Sequence, residues 1–169
     1  MEANTKVSVL MSVYIKEKPE YLRASLESIV KQTYPVDEIL LIEDGPLTEE
    51  LYAVLNEYKE KYPNVLHTFA FKQNQQLGRA LAKGVTLCRN ELIARMDTDD
   101  IAMPKRIARQ VAYMNEHPEV HVLGGSIREF NDAGTTAVYK HPKTPLAVKV
   151  GDKNINELTE MSINKIKEH

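Results

Sequence analysis

Short apolar segments alternate with longer amphipathic segments along most of this chain, and this alternation constrains its fold more than any other feature. Runs rich in Val, Ile and Leu, such as "KVSVLMSVY" and "DEILLIED", are typical of strands that are buried on both faces. Runs such as "PEYLRASLESIVKQ" place their apolar residues at helical spacing. The β-α-β-α order predicts right-handed crossovers and a mostly parallel, Rossmann-like α/β sheet with helices on both faces.

The punctuation of the sequence predicts where these elements begin and end. Thr48 is expected to cap the second helix, Gly84 to weaken the third, and Pro104 to start the fourth. A fifth strand, "EVHVLGGSIREF", is expected to be interrupted at Gly124 and Gly125. After it, "NDAGTTAVYKHPKTP" is expected to be a hairpin or loop, and "NINELTEMSINKIKEH" a weak amphipathic helix.

Composition excludes several classes of protein. The formal net charge of -2 gives no basic surface for nucleic acid, and 43% hydrophobic residues fit a globular domain. The single cysteine, Cys88, excludes an internal disulfide framework and a cysteine-based zinc site. No apolar run is long enough to span a bilayer or to serve as a signal peptide. We therefore expect a cytoplasmic protein that can lie peripherally at the inner membrane face through a partner or a further segment.

Polar residues cluster at the ends of three predicted strands. These clusters are Ser12–Tyr14, Glu43 with Asp44, and Asp97–Asp100. In open parallel sheets, ligands bind outside the carboxyl ends of the strands. The sequence therefore predicts one binding site formed by all three clusters.

The acidic cluster is the strongest candidate for metal binding. Asp97 and Asp99 are one residue apart, so an extended strand end would point both carboxylates to one side. Such a pair can hold Mg2+ or Mn2+, with waters and substrate phosphates completing the oxygen shell. The alternative is a solvated turn in which Asp100 caps the next helix.

The remaining candidates have comparable alternatives. Asp44 can accept hydrogen bonds from a base or ribose, but acid-Gly-Pro is also a good turn sequence. Arg79 and Lys83 lie one helical turn apart and could contact phosphate or base, or simply form a solvated helix face. Tyr14 could stack on a base or belong to the core. The histidines show no metal-ligand spacing.

Four segments in order resemble the nucleotide-sugar-binding half of family 2 glycosyltransferases, which have the A-type glycosyltransferase fold. They are "VSVLMSVYIKE", "LESIVKQTYPVDEILLIEDGP", "LGRALAKGVTLCRNELIARMDTDD" and "MPKRIARQVAYMNEHPEVHVLGG". The resemblance covers about residues 5 to 130. It implies a nucleotide-sugar-binding domain at 1–130, and an incomplete acceptor-side segment and tail at 131–169, in a truncated form of the fold.

The resemblance also implies roles for individual residues. Asp97 and Asp99 match the family's Asp-x-Asp, which faces the ribose and coordinates the metal that bridges the diphosphate, while Asp100 supports the loop. Asp44 matches the acid that contacts the base. The implied metal ligands are Asp97 and Asp99, and the implied nucleotide-binding residues are Ser12, Val13, Tyr14, Glu43, Asp44, Gly78, Arg79, Lys83, Asp97 and Thr98.

The chain departs from the family pattern in three ways. Ser12 and Ile15 stand where the first loop usually has Pro and Asn, and Glu43 precedes Asp44 where paired aspartates are common. The family's acceptor region and its general base are expected to be missing, since neither Glu129 nor Asp132 matches that base.

The resemblance implies transfer of a sugar from a nucleotide-diphosphate donor, expected to be a UDP-sugar, to an acceptor hydroxyl. The reaction would be inverting, would use Mn2+ or Mg2+, and would serve cell-surface polysaccharide biosynthesis on a saccharide or lipid-linked acceptor. One alternative is a donor-binding fragment without transfer activity. Another is a D-x-D phosphatase, because "ARMDTDDI" also resembles the loop of haloacid-dehalogenase-type enzymes.

Overall fold

A computed structural model describes residues 5–125 in full and, beyond them, the backbone of three strands at 127–131, 134–139 and 147–149. The predicted helix "NINELTEMSINKIKEH" lies outside the described residues. Over the part of the chain that is described, no helix has the length and apolar character needed to cross a bilayer.

Helices and strands alternate in the predicted order through α4. The elements are β1 (Val7–Val13), α1 (Pro19–Val30), β2 (Glu38–Glu43), α2 (Glu49–Lys61), β3 (Leu66–Ala70), α3 (Leu77–Leu87), β4 (Leu92–Arg95), α4 (Arg106–Glu116), β5 (Val122–Leu123), β6 (Ile127–Asn131), β7 (Gly134–Tyr139) and β8 (Ala147–Lys149).

The main sheet has the order β3-β2-β1-β4-β8-β5. Its first four strands are parallel, and β8 runs antiparallel to both of its neighbours. This confirms the predicted mostly parallel α/β sheet. The segment that follows residue 130 contributes β8 to this sheet.

The predicted fifth strand is not one strand. Its two halves are β5, in the main sheet, and β6, which pairs with β7 in a separate two-stranded antiparallel sheet. The break falls at Gly124 and Gly125, where the sequence predicted an interruption. The β6–β7 hairpin accounts for part of the segment that was expected to be a hairpin or loop.

Alternation along the strands divides the core into two layers. Val9 and Met11 of β1 pack with the apolar faces of α1, α2 and α4. Leu10, between them, packs on the opposite face of the sheet with Ala80 of α3. A buried side chain of this size contributes about 1.5–3 kcal/mol relative to an exposed one. The helices therefore lie on both faces of the sheet, as predicted.

Close packing explains the glycine in the middle of α3. A Cβ atom built on Gly84 would lie 2.3 Å from Leu10 Cδ1, so any larger residue would force the buried Leu10 side chain or α3 to shift. The cost of glycine in a helix, about 0.5–1 kcal/mol, is offset by this packing.

The predicted starts of two helices have different outcomes. Thr48 does cap α2, since its hydroxyl oxygen accepts a hydrogen bond from Leu51 N. The start predicted for the fourth helix is wrong, because Pro104 and Lys105 form a turn and α4 begins at Arg106.

A buried polar network joins β1 and β2 at the amino end of the sheet. The Glu38 side chain is buried and accepts hydrogen bonds from Ser8 Oγ, from Arg89 N at 2.8 Å and from Arg89 Nε at 2.9 Å. Ser8 Oγ in turn accepts from Asn90 N at 3.2 Å. The network ties the loop before β4 to both strands and holds the central sheet in register.

Candidate functional site

The parallel strands β1, β2 and β4 bring the predicted site residues to one edge of the sheet. Val13 and Glu43, the last residues of β1 and β2, pair in register. Asp44 N then donates to Val13 O at 2.8 Å, and Met96 N donates to Leu10 O at 3.0 Å. The loops that follow these three strands therefore start side by side.

The end of β1 and the turn after it form the first part of this edge of the sheet. Ser12 and Val13 lie in the strand, and the Val13 side chain is fully buried in the core. Tyr14 is 45% exposed, and its carbonyl oxygen accepts from Glu17 N at 3.0 Å to close a turn. Only the Tyr14 ring is therefore presented to solvent here as a stacking surface.

The two neighbouring acids at the end of β2, Glu43 and Asp44, have side chains that contact different elements. The buried Glu43 carboxylate lies toward α2, with Lys59 Nζ 3.6 Å from its Oε1. Asp44 is also buried, and its Oδ1 accepts from Gln75 N at 2.6 Å. Asp44 thus holds the loop that leads into α3, while Glu43 is occupied by a structural ion pair.

A glycine lets this loop lie against the end of β2. Gly45 has a φ of +92°, in the left-handed region, and a Cβ atom there would lie 2.8 Å from Asn74 N. Asn74 Nδ2 also donates to Asp44 O at 3.3 Å. The acid-Gly-Pro sequence is therefore a turn that also shapes the edge where a ligand would enter.

The first turn of α3 follows directly from this loop. Gly78 and the exposed Arg79 lie in that turn, so they are near the Asp44 end of the edge. Lys83 lies one turn further on, and its Nζ is 5.3 Å from the centre of the Phe69 ring. The ring of β3 thus engages the Lys83 ammonium, whereas the Arg79 side chain extends into solvent.

The acidic cluster forms a turn, not an extended strand end. Strand β4 ends at Arg95, and Asp100 N donates to Asp97 O at 3.3 Å, which closes a turn over 97–100. The expected alternation of Asp97 and Asp99 along an extended strand is therefore wrong. The alternative in which Asp100 caps the next helix is also wrong, because the N-cap of α4 is Lys105.

Neighbouring elements fix the position of this acidic turn. Ser25 Oγ of α1 donates to Asp97 O at 2.9 Å. The buried Thr98 hydroxyl donates to Glu17 Oε2 at 2.5 Å and lies 3.4 Å from Ser12 O. The Thr98 side chain therefore links the acidic turn to the first loop. Asp99 and Asp100, the last two residues of the turn, are exposed.

Two arginines lie beside the three carboxylates. Arg95 Nη2 donates to both carboxylate oxygens of Asp97, at 2.7 and 2.9 Å. Arg106 Nη2 donates to Arg95 O at 2.7 Å, and burial lowers the pKa of the Arg106 guanidinium. Although Asp100 is exposed, partial desolvation by its neighbours, followed by the charges of Asp97 and Asp99, raises the pKa of its carboxyl group, and the two arginines oppose this rise. The acidic turn therefore retains an excess of negative charge.

The carboxylates of the acidic turn suit a hard divalent cation whose coordination shell is completed by other ligands. Asp97 and Asp99 supply carboxylate oxygens, which suit Mg2+ or Mn2+. Within residues 5–125 and the described strands, no three His, Cys, Asp or Glu side chains converge on a common metal position. The two aspartates would therefore need oxygens from waters or a bound phosphate to complete the coordination shell.

The sequence did not single out several residues that build this edge. Glu17, Ser25 and Gln75 act through contacts between segments that are distant in sequence, and no local pattern marks them. Arg95 could have been noticed, because it precedes Asp97 by two residues and so projects from the same face of an extended chain.

The family model of "Glycosyl transferase family 2" matches residues 8–165 of this chain. The match continues past residue 130, where the resemblance was expected to end.

Curated relatives agree with this match. The amylovoran biosynthesis glycosyltransferase AmsE of Erwinia amylovora is 43% identical over 80% of this chain and 50% of its own length. The UDP-Gal:alpha-D-GlcNAc-diphosphoundecaprenol beta-1,3-galactosyltransferase of Escherichia coli is 38% identical over 74% of this chain and 45% of its own length. The chain thus spans about half the length of the curated relatives it matches.

Solved structures share the fold at low sequence identity. TarS 1-349 of S. aureus in complex with UDP-GlcNAc has a TM-score of 0.66 at 22% identity, over 79% of this chain and 37% of that chain. The mannosyltransferase PcManGT of Pyrobaculum calidifontis, in complex with GDP-Man and Mn2+, has a TM-score of 0.66 at 17% identity, over 76% of this chain and 37% of that chain. The sheet order, the segments that resembled the family, and these matches agree: the chain belongs to glycosyl transferase family 2.

Proposed function

We propose that this chain forms the donor-binding half of an inverting, metal-dependent glycosyltransferase that uses a UDP-sugar. The observation that carries the proposal is the convergence of Tyr14, Asp44 and the acidic turn at the carboxyl edge of one parallel sheet. Such an edge is where α/β folds of this type bind nucleotides. On this proposal, 1–130 is the nucleotide-sugar-binding domain, whose sheet also includes the later strand β8, and the rest of 131–169 belongs to the acceptor side.

Each segment at this edge of the sheet would contact a different part of the donor. The exposed Tyr14 ring would stack on the base, and Asp44, oriented by its bond from Gln75 N, would accept a hydrogen bond from a base N–H. Gly78 and Arg79 at the start of α3 would approach the diphosphate. Asp97 and Asp99 would hold a Mn2+ or Mg2+ ion, which stabilises the negative charge of a departing nucleoside diphosphate.

Transfer would be a single displacement at the anomeric carbon. The oxygen of the acceptor hydroxyl forms the new bond, the bond from the anomeric carbon to the diphosphate oxygen breaks, and the hydroxyl proton passes to a general base. No described side chain is assigned as that base, and the side chains of Glu129 and Asp132 lie outside the described residues. Donor binding without transfer is therefore the second candidate function for this chain.

The relatives support the choice of donor and acceptor class. The names of one relative and one solved neighbour contain UDP-sugars, and the E. coli relative acts on an acceptor linked to diphosphoundecaprenol. A lipid-linked acceptor would bring a cytoplasmic enzyme to the inner face of the membrane. We therefore propose a saccharide or lipid-linked acceptor and a peripheral location there.

Calorimetric titration with UDP tests the proposed donor site. We expect UDP to bind in the presence of Mn2+ and to bind at least about tenfold more weakly in its absence, since a divalent cation held by Asp97 and Asp99 would offset the negative charge of the diphosphate. GDP should bind more weakly than UDP under the same conditions. Absence of UDP binding with Mn2+ present would contradict the proposal, whereas binding without transfer to any acceptor would favour the donor-binding module.

A further inference from the structure

Arg95 forms an ion pair with the carboxylate of Asp97, which is also a proposed metal ligand. Its Nη2 lies 2.7 and 2.9 Å from the two oxygens of Asp97, so the guanidinium engages both of them. The Arg95 side chain is 26% exposed and that of Asp97 is 40% exposed. A pair this open to solvent can exchange partners without first unfolding the turn.

The rest of the Arg95 side chain is weakly anchored. Arg95 Nε is buried without a hydrogen-bond partner among the described residues. Arg106, by contrast, is held by hydrogen bonds to Arg95 O, Met96 Sδ and Gln110 Oε1. Of the two cations at the acidic turn, Arg106 is thus a fixed support, and Arg95 is bound mainly through the carboxylate of Asp97.

We propose that Arg95 is the resident counter-ion of Asp97 and makes binding of the divalent cation conditional on the donor diphosphate. This inference rests on the proposed function. A cation that arrives alone must displace a guanidinium from Asp97 and leave it without an anionic partner. A diphosphate that arrives with the cation offers the guanidinium new oxygen acceptors, which suit its planar fork of donors.

The consequence is a strong coupling between metal and nucleotide. By linkage, the factor by which UDP tightens Mn2+ binding equals the factor by which Mn2+ tightens UDP binding. Arg95 raises this factor because it weakens the binding of Mn2+ alone and supports the ternary complex. It is therefore a positioning residue that acts on the metal through Asp97.

Arg95→Met tests this role without requiring catalysis. The free Mn2+ concentration, followed by electron paramagnetic resonance, gives the affinity for Mn2+ alone, and calorimetry gives the affinity for UDP with and without Mn2+. We expect Mn2+ alone to bind at least about tenfold more tightly to the variant, and the coupling factor to fall by about tenfold or more. Arg95→Lys, which keeps the charge but lacks the planar set of guanidinium donors, should give intermediate values.

Arg23→Met is the matched control. Arg23 Nη1 contacts both carboxylate oxygens of Glu57, at 2.7 and 2.6 Å, on the exposed faces of α1 and α2. This variant also removes an arginine that contacts both oxygens of one carboxylate through a single guanidinium nitrogen, and its Mn2+ affinity and coupling factor should equal those of the wild type.

The outcomes separate this inference from the proposed function. If folded Arg95→Met, verified by its thermal unfolding, binds Mn2+ alone no more tightly and keeps the wild-type coupling factor, Arg95 only supports the turn and the inference is wrong. The donor site would still stand in that case, because wild-type binding of UDP with Mn2+ would be intact. If the wild type does not bind UDP with Mn2+, both proposals are overturned.

Discussion

Asp99→Ala is expected to weaken UDP binding in the presence of Mn2+ by about tenfold or more, toward the affinity measured without metal, and to leave UDP binding without metal nearly unchanged. Residues that only orient a metal ligand already change metal affinity by about 10–100-fold, and Asp99 is proposed to be a ligand itself. Its side chain is exposed at the end of the acidic turn, so its removal leaves no buried partner unpaired. The loss should therefore appear in ligand affinity and not in the free energy of unfolding.

Glu91→Ala provides the control for this prediction. Glu91 is an exposed acid just before β4, so the substitution changes the net charge equally at the opposite end of the same strand. Calorimetric titration of UDP with Mn2+ should give wild-type affinity for this variant. If Asp99→Ala also retains wild-type affinity, Asp99 does not bind the metal.

Glu38→Ala is expected to lower the free energy of unfolding by about 1–3 kcal/mol, the typical cost of leaving hydrogen-bond donors without their buried acceptor. The figure for a fully buried ion pair does not apply, because the Arg89 side chain is itself half exposed. The Glu38 carboxylate is buried and accepts hydrogen bonds from Ser8 Oγ, Arg89 N and Arg89 Nε. The substitution leaves the two Arg89 donors and the Ser8 hydroxyl without their shared acceptor. Because the network joins β1, β2 and the loop before β4, urea unfolding should shift to lower denaturant concentration.

Glu57→Ala separates burial from ion pairing in this prediction. Glu57 forms an even shorter ion pair with Arg23, at 2.6 Å against 2.9 Å for Glu38 with Arg89, but both side chains of the Arg23 pair are about half exposed. Exposed pairs of this kind contribute about 0–1 kcal/mol, so the midpoint of urea unfolding should change little. Equal destabilisation by both variants would show that the buried Glu38 network has no special part in stability.

The order of the elements could be predicted because each leaves a local pattern in the sequence. Ile39 and Leu41 belong to an apolar run that only a strand buried on both faces explains, and Thr48 has the hydroxyl that caps α2. Gly84 weakened the prediction for α3, although that glycine leaves the space into which the Leu10 side chain packs against the helix. Such a contact between distant segments cannot be read from a local pattern.

The location of the candidate site could be predicted from the order of the strands in the sequence. The directions of its side chains could not. Glu43 and Asp44 are adjacent and chemically alike, yet one lies against Lys59 of α2 and the other holds the loop before α3. Their directions depend on where β2 ends and on the pleat of the strand. The sequence likewise predicted Asp97 and Asp99 along an extended chain. The turn over 97–100 that replaces it depends on contacts with α1 and the first loop, which no local pattern shows.

The most direct test of the donor site is a crystal structure of the chain with UDP and Mn2+, using anomalous scattering to locate the manganese. We predict one manganese peak within about 2–2.5 Å of a carboxylate oxygen of Asp99, a distance usual for hard cations and oxygen ligands. The diphosphate should contact that ion, and the uracil ring should lie between Tyr14 and Asp44. A nucleotide bound away from the carboxyl edge of the sheet, or a manganese peak remote from the acidic turn, would contradict the assignment of this edge as the donor site.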